Sequence, residues 1–229
     1  MGKSVANVLR PAWERISGGV DRALSAIRGK SEMASLPIRL YGDAILRQKA
    51  RLVRPEDIDP EFRGLAEQMG STMYDNAGLG LAANQIGDLR RIFVADVAQV
   101  SGEKQRGKRV KDPEKRSLLV FLNPELLESS HEDDEYEEGC LSIADLDGKV
   151  FRPSRVKVRY RDLDWNEKEE WIDGLLARVF QHELDHLDGI LFVDRMPEYA
   201  RTKIAGALNQ LKKKNEKAGF LTTPKRAEE

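Results

Sequence analysis

The 229-residue sequence has little of three features that define large classes of protein. It contains one cysteine, which excludes a framework of internal disulfide bonds. No apolar run approaches the length that crosses a bilayer, and no secretory signal is present, so we expect an intracellular protein without a transmembrane segment. The formal net charge of -1 gives no overall signal for binding DNA. The chemistry of the chain must therefore come from local motifs.

Histidine is also scarce, since the chain has three and two of them, His182 and His186, stand one helical turn apart. With Leu175 and Val179 they recur at the spacing that places side chains on one face of a helix. Two imidazoles on one face can share a metal ion, and Glu183 between them can reach a water on that ion. The pattern favours metal-assisted hydrolysis. The alternative is that both histidines only donate hydrogen bonds to carbonyl groups.

Cap residues predict the bounds of two helices. Gly174 lies near the start of the histidine helix and Gly189 just past its end, where a left-handed cap is expected, so this helix should have about four turns. Asp59 and Pro60 supply the N-cap and the first-turn proline of an earlier helix. We expect that helix to end at Gly78.

The segment from 78 to 87 is dense in glycine and alanine, which lets the backbone approach a ligand closely. Its Gln85 offers an amide donor. A phosphate-binding loop is the rival interpretation, but the lysine and hydroxyl residue that follow in such a loop are absent.

Short apolar and alternating runs predict several strands. They lie at 91–97 and 117–122, and a hairpin of 156–160 with 168–172 leads into the histidine helix. Residues 101–116 carry seven basic against three acidic side chains and are expected to form an exposed loop. The predicted fold is α+β, with antiparallel strands packed around a central helix that carries the ligands of its His-Glu-x-Asp-His motif.

A hydrolytic metal site needs three protein ligands and one open position for water. The candidates for the third ligand are Cys140, His131 and the carboxylates of the acidic run 125–138. Cys140 stands between Gly139 and Leu141, a setting compatible with a bend or bulge that turns the thiolate inward. These residue types alone leave the choice open. A cysteine–histidine nucleophile pair is a further alternative.

Three motifs, in this order, resemble the signatures of the peptide deformylase family. They are GLGLAANQ at 78–85, EGCLS at 138–142 and HELDH at 182–186. The resemblance covers residues 36–200, and leaves 1–35 as an N-terminal extension with short amphipathic helices and 201–229 as a basic C-terminal helix and tail. It implies a metal-dependent hydrolase that removes the formyl group from N-formyl-methionyl nascent polypeptides and releases formate.

The resemblance also implies a role for individual residues. One divalent ion, Fe²⁺ in the cell and replaceable by Zn²⁺, Ni²⁺ or Co²⁺, would be held by Cys140, His182 and His186. Glu183 would transfer the protons, while the Gln85 amide and the backbone N–H of Leu141 would stabilise the oxyanion. The implied substrate-binding residues are Gly78, Leu79, Gly80, Glu138, Gly139, Leu175 and Val179.

Glu138 is expected to pair with Arg152 beneath the site and to hold the cysteine bend in place. Leu79, Leu175 and Val179 would form the walls of a methionine pocket, although ordinary core packing explains these three equally well. The chain departs from many bacterial relatives at 144–147, where Ala-Asp-Leu-Asp stands in place of Pro-Gly or similar. This departure concerns the substrate entrance.

The predicted partners are N-formyl-methionyl peptides, with the ribosome as a further candidate through the basic segments. The expected location is the bacterial cytoplasm, and an organelle stroma or matrix is the alternative. Two rival functions remain open at this stage. A zinc endopeptidase would use the same histidine helix, and a catalytically inactive binding protein would keep the fold without needing Glu183.

Overall fold

Antiparallel strands and α-helices make up the structure, a computed structural model that describes residues 35–105, 108–111 and 116–222. The predicted N-terminal extension, apart from its last residue, and the tail beyond 222 lie outside the described residues. The α-helices are α1 (Pro60–Asp75), α2 (Gly174–Leu187), α3 (Phe192–Arg195) and α4 (Glu198–Lys217). The strands are β1 (Ile38–Arg39), β2 (Gly80–Ala82), β3 (Ile92–Ala95), β4 (Val100–Gln105), β5 (Lys108–Lys111), β6 (Leu119–Ser129), β7 (Asp133–Cys140), β8 (Ile143–Pro153), β9 (Arg155–Arg161), β10 (Glu167–Asp173) and β11 (Leu221–Thr222).

The main sheet has five strands in the order β10-β9-β6-β3-β2, and every neighbouring pair is antiparallel. Helix α2 packs on this sheet through an aromatic cluster. Phe93 and Phe121 stack with ring centroids 4.6 Å apart, and Phe180 of α2 meets both rings edge-on. All three side chains are fully buried. Edge-to-face aromatic packing of this kind fixes the helix on the sheet.

The histidine helix has the predicted ends. Gly174 begins it with φ +57°, and Gly189 follows it with φ +76°, the left-handed conformation that glycine adopts without strain. At Gly189 the chain also passes close to the backbone of Arg47, where a Cβ would collide with the carbonyl oxygen. Glycine is therefore favoured at position 189 by the left-handed backbone and also by the close approach of the Arg47 backbone.

Strands β7 and β8 form a separate hairpin on the other side of α2. Their pairing shifts register next to the cysteine: Gly139 pairs with Asp147 and Cys140 with Ile143, so the extra residues 144–146 lie on β8 and not on the strand of Cys140. Buried Ile143 and Val150 of β8 pack with Phe192 and Met196 in a core cluster of their own. The hairpin thereby brings Cys140 to α2 from a distant part of the sequence.

Two local predictions are wrong. Helix α1 ends at Asp75 rather than at Gly78, and the left-handed residue that follows it is Ala77, at φ +54°. Gly78 instead lies against Leu141 and Met73, where space for a Cβ is tight. The basic segment 101–116 is not only a loop, because β4 and β5 pair within it; residues 106–107 and 112–115 lie outside the described residues.

The α+β class is confirmed by these helices and antiparallel sheets. The predicted hairpin of 156–160 with 168–172 corresponds to β9 and β10, and the second predicted strand at 117–122 continues to Ser129 as β6. Within the described ranges, no helix is both long and apolar enough to cross a membrane. The division into an extension, a catalytic domain and a C-terminal part stays a prediction.

Replacing Gly189 with Ala should destabilise the fold by about 1–2 kcal/mol, because a left-handed residue gains a Cβ that meets backbone. Urea unfolding followed by circular dichroism measures this loss. The matched control is Gly206→Ala in α4, where nothing lies within 4 Å of the added methyl, and this variant should be as stable as the parent or up to about 1 kcal/mol more stable. Equal stabilities of the two variants would contradict the prediction.

Candidate metal centre

Three side chains that bind metals converge where the hairpin meets α2. Cys140 at the end of β7 and His182 and His186 on α2 have ligand atoms that all lie within 4.8 Å of one another. The Cys140 Sγ is 3.2 Å from the Nε2 of His186. In the described part of the chain, no other group of histidine, cysteine and carboxylate side chains has this arrangement. One thiolate and two imidazoles suit a tetrahedral divalent ion with one open position.

The orientation of His182 is set by a carboxylate behind it. Its Nδ1 lies 2.9 Å from the Oε2 of Glu138, which leaves Nε2 for a metal ion. Arg152 binds both oxygens of Glu138, with its Nε donating at 2.8 Å and its Nη2 at 3.0 Å. The predicted ion pair between Glu138 and Arg152 is therefore present, and both residues are buried.

The same arginine extends the ion pair into a chain of alternating charges. The Nη1 of Arg152 donates to Asp185 at 2.7 Å, and Asp185 also accepts from Arg195 at 2.6 Å. Burial acts to raise the pKa of Glu138, but the hydrogen bonds from His182 and Arg152 outweigh it and hold that pKa well below its usual range. Glu138 is thus an anion that orients His182.

The two histidines differ in their protonation. Burial, together with the charge of His182, lowers the pKa of His186 well below its usual value, so this imidazole is neutral and ready to bind a cation. For His182, burial is outweighed by hydrogen bonds with Cys140 and Glu138, which raise its pKa to about 10. A cation that binds His182 must therefore displace its proton.

Glu183 has the properties of a general base near neutral pH. Its side chain is 4% exposed, and burial raises its pKa to about 7. Its Oε2 is buried and has no hydrogen-bond partner in the structure described. A buried carboxylate oxygen rarely lacks a partner, so this atom is available to a water molecule or a substrate beside the ligands.

Gln85 is fixed close to the thiolate. Its Oε1 accepts from the backbone N–H of Ala82 at 2.8 Å, and its Nε2 donates to the Ser142 hydroxyl at 3.2 Å and lies 3.5 Å from the Cys140 Sγ. The neighbouring Asn84 donates to the backbone carbonyl of His186 at the end of α2. The short 3₁₀ turn Ala83–Ile86 is therefore tied to the metal centre from two sides.

A cavity of about 520 Å³ opens beside the ligands. It is lined by all but one of the predicted site residues: Gly78, Leu79, Gly80, Gln85, Glu138, Gly139, Cys140, Leu141, Leu175, Val179, His182 and Glu183. The exception is His186, which is 1% exposed. The structure thus brings the predicted residues together.

Sequence reasoning missed one group at this site. Arg178 lines the cavity and donates to Glu138 at 3.0 Å, so two arginines hold the carboxylate. Its position one turn before His182, in an otherwise apolar stripe, was a signal for this contact. Asp145 and Asp147 also line the cavity, and they belong to the segment 144–147 that the sequence analysis had linked to the substrate entrance.

A family model described as polypeptide deformylase matches residues 35–202. The chain belongs to the polypeptide deformylase family. It is 44% identical over 193 residues to a peptide deformylase of Methylocella silvestris, with 83% of this chain and 89% of the relative aligned. It is 41% identical over 177 residues to that of Mesorhizobium japonicum, covering 77% of this chain and 93% of the relative.

Solved deformylase structures have the same fold. Arabidopsis thaliana peptide deformylase 1B superposes with a TM-score of 0.70 at 33% identity, covering 83% of this chain and 97% of its own. The Plasmodium falciparum peptide deformylase gives a TM-score of 0.68 at 32% identity, covering 79% and 97%. Deformylases depend on a metal ion and remove the formyl group from the N-terminus of nascent polypeptides, and this is the reaction of the chain.

Replacing Arg152 with Met should weaken metal binding about 10- to 100-fold, because Glu138 and through it His182 lose their orientation. Competition with a chelator measures the metal affinity. Urea unfolding of the same sample measures the stability lost when Glu138 and Asp185 no longer have Arg152 as a partner. Arg159→Met is the control, because Arg159 of β9 is partly exposed and pairs with Glu169 of the neighbouring strand β10. Unchanged metal affinity in Arg152→Met would rule out the positioning role.

Replacing Gly80 with Ala should lower kcat/KM by up to about 100-fold, because the added methyl would collide with the Glu183 carboxylate and displace it. The control is Gly64→Ala in α1, where the methyl enters open space. Formate release from a formyl-methionyl peptide measures both variants. Full activity of Gly80→Ala would show that Glu183 tolerates the displacement.

Proposed function

We propose that the deformylation is carried out at one divalent ion held by Cys140, His182 and His186. Glu183 is the proton-transfer group, and the donors to the oxyanion are the Gln85 amide and the backbone N–H of Leu141. The observation that carries this proposal is the convergence of three ligand atoms within 4.8 Å beside a cavity that Glu183 and Gln85 line. The reaction needs the metal ligands, the proton-transfer group and the oxyanion donors close enough together to act on one bound formyl group.

When bound, the ion supplies Lewis-acid chemistry, lowering the pKa of a water molecule and polarising the formyl carbonyl. Glu183 takes a proton from a water molecule while the oxygen of that water adds to the formyl carbon. Glu183 then gives a proton to the nitrogen of the methionine as the C–N bond breaks. The products are formate and a free N-terminal amine, so one water is consumed for each amide bond broken.

The negative charge that develops on the formyl oxygen needs donors aimed at it. The Gln85 carboxamide is held at its oxygen by the N–H of Ala82, so its nitrogen points toward Cys140 and Ser142. Leu141 follows the cysteine directly, and its N–H lies at the register shift of the hairpin. Removing one such donor commonly costs about 100-fold or more in kcat.

The apolar wall of the cavity suits the methionine side chain. Leu79 and Leu175 are partly buried beside the aromatic core, and Val179 belongs to that core. Gly78, Gly80 and Gly139 line the same cavity without side chains of their own, which lets neighbouring groups approach their backbone closely. Glu138 contributes through His182 rather than by contact with the reacting atoms.

We propose Fe²⁺ as the ion in the cell, with Zn²⁺, Ni²⁺ and Co²⁺ as substitutes. A thiolate with two imidazoles accepts each of these ions, so ligand type does not select one of them. Metal analysis of protein purified without oxygen identifies the occupant.

The ribosome is a second proposed partner. Exposed Lys212, Lys213, Lys214 and Lys217 lie on the last turns of α4, and a cluster of this kind favours a polyanionic surface. The curated relatives above are bacterial, which favours the bacterial cytoplasm over an organelle as the location.

The central test measures formate release and chain cleavage together, with formyl-Met-Ala and an internally quenched peptide as substrates and with a controlled metal supply. Formate without chain cleavage supports the deformylase. Chain cleavage would support an endopeptidase instead, and no turnover would support an inactive binding protein.

Glu183→Gln should lower kcat by about 100- to 10,000-fold, because an amide of the same shape cannot take the proton. It should keep its metal ion, since Glu183 is not one of the three ligands. Metal content by plasma mass spectrometry is read on the same sample. Near-normal turnover in a metal-loaded Glu183→Gln would remove Glu183 from the mechanism.

A further inference from the structure

We propose that Asn84 is a positioning residue of the metal centre, which fixes the ligand His186 and keeps the Gln85 amide in a constant place beside it. This inference rests on the proposed function, because it concerns the ligand and the oxyanion donor assigned there. Asn84 does not line the cavity, so it acts through these two neighbours and not by contact with the substrate.

The side chain of Asn84 is fully buried and joins the 3₁₀ turn Ala83–Ile86 to the end of α2. Its Nδ2 donates to the backbone carbonyl of His186. The last four carbonyl groups of a helix have no partner within the helix and must be satisfied from outside it. The Gly189 N–H gives this carbonyl one hydrogen bond at 2.9 Å, and Asn84 gives it another. Asn84 thus caps α2 at the residue that is also a metal ligand.

Two buried atoms of the same residues complement each other. Because a carbonyl accepts only from the nitrogen of an amide, the contact with His186 fixes which end of the Asn84 amide is the oxygen. This Oδ1 and the Nδ1 of His186 are both buried and have no hydrogen-bond partner in the part of the chain that the structure describes. The Nε2 of His186 faces the Cys140 Sγ at 3.2 Å, and an imidazole that binds a metal through Nε2 carries its proton on Nδ1. Asn84 therefore offers an acceptor to the ring whose carbonyl it already holds.

The other histidine ligand shows what such a partner does. A metal-binding imidazole almost always donates its second N–H to an outer group, which sets the orientation of the ring. For His182 this group is Glu138, whose Oε2 lies 2.9 Å from Nδ1. Within the described ranges no carboxylate takes this place at the Nδ1 of His186. The uncharged amide of Asn84 has the equivalent role there.

Asn84 also determines where Gln85 lies. The two residues are adjacent in a turn of four residues, so a shift of Asn84 moves Gln85 with it. The Gln85 Nε2 donates to Ser142 at 3.2 Å and lies 3.5 Å from the Cys140 Sγ. Without its contact to His186, the turn would no longer keep the oxyanion donor in register with the ligand helix. A displacement of about 1 Å in a catalytic group can cost up to about 100-fold in rate.

The first test is Asn84→Leu, which keeps the approximate size of the side chain but can neither donate nor accept a hydrogen bond. Its metal affinity, measured by competition with a chelator, should fall about 10- to 100-fold. The absorption bands of the Co²⁺-loaded variant, both the thiolate-to-cobalt and the d–d bands, should differ from those of the parent, because the ligand geometry changes. A merely structural role would lower stability and leave these bands unchanged.

Kinetics of the metal-saturated Asn84→Leu variant give an independent measurement. With formyl-Met-Ala as substrate, kcat should fall about tenfold, because the oxyanion donor and the ligands act on the reacting group. KM should stay within about twofold of the parent value, since the apolar wall for the methionine side chain is unchanged.

The matched control is Thr72→Val in α1, another fully buried polar side chain replaced by an apolar one of the same shape. The Thr72 hydroxyl accepts from the Leu36 N–H at 2.8 Å and donates to the Gln68 carbonyl at 2.7 Å, and none of these three residues lines the cavity. This variant should lose stability but keep the metal affinity, the cobalt spectrum and the kcat of the parent.

A second pair of variants decides the question if Asn84→Leu does not fold. Asn84→Thr and Asn84→Val have the same shape and differ in one hydroxyl, which can donate to the His186 carbonyl. The threonine variant should bind the metal at least about threefold more tightly than the valine variant. Equal affinities in this pair, or a folded Asn84→Leu with the affinity and cobalt spectrum of the parent, would overturn the inference. Formate release by the parent leaves the proposed function standing in both cases, whereas a parent without formate release would overturn the proposed function and this inference with it.

Discussion

The buried carboxylate of Glu138 is the constraint on which the centre depends. It stands two residues before Cys140 on the hairpin and holds His182 on the helix, so one side chain connects the two elements that supply the metal ligands. Arg152 and Arg178 compensate its charge. A buried carboxylate held by two arginines is costly to disrupt, because removing one arginine leaves a buried charge without water or partner. The geometry of the ligands is thereby coupled to the packing of the whole domain.

The rest of the fold positions the β7–β8 hairpin and helix α2 against each other. The five-stranded sheet and the phenylalanine cluster fix one side of α2, while the hairpin and Arg152 fix the other. Asp185 joins this arrangement through Arg152 and Arg195, so the ligand helix is held by charges on the face opposite its apolar contacts. Helix α2 consequently has little freedom to rotate, and a rotation would move both histidines away from the cysteine.

Local features of the sequence were sufficient for much of this arrangement. The spacing of His182 and His186 and the glycines at both ends predicted α2, since periodicity and capping depend on neighbouring residues alone. The contacts of Arg178 and Asp185 were not foreseen, because their partners lie on other elements and become neighbours only in the folded chain. The end of α1 was misplaced because the left-handed residue of its cap is Ala77 and not a glycine; the Gly78 N–H closes this cap on the Met73 carbonyl at 2.8 Å.

The chemistry is concentrated where the hairpin meets α2. There the unpartnered oxygen of Glu183 and the Gln85 amide lie beside the ligand atoms, and burial strengthens their electrostatic interactions because little water screens them. The same burial raises the pKa of Glu183 to about 7, which brings the proposed proton-transfer group close to neutral pH. Burial therefore strengthens the electrostatics of the site and also sets the protonation of its proposed base.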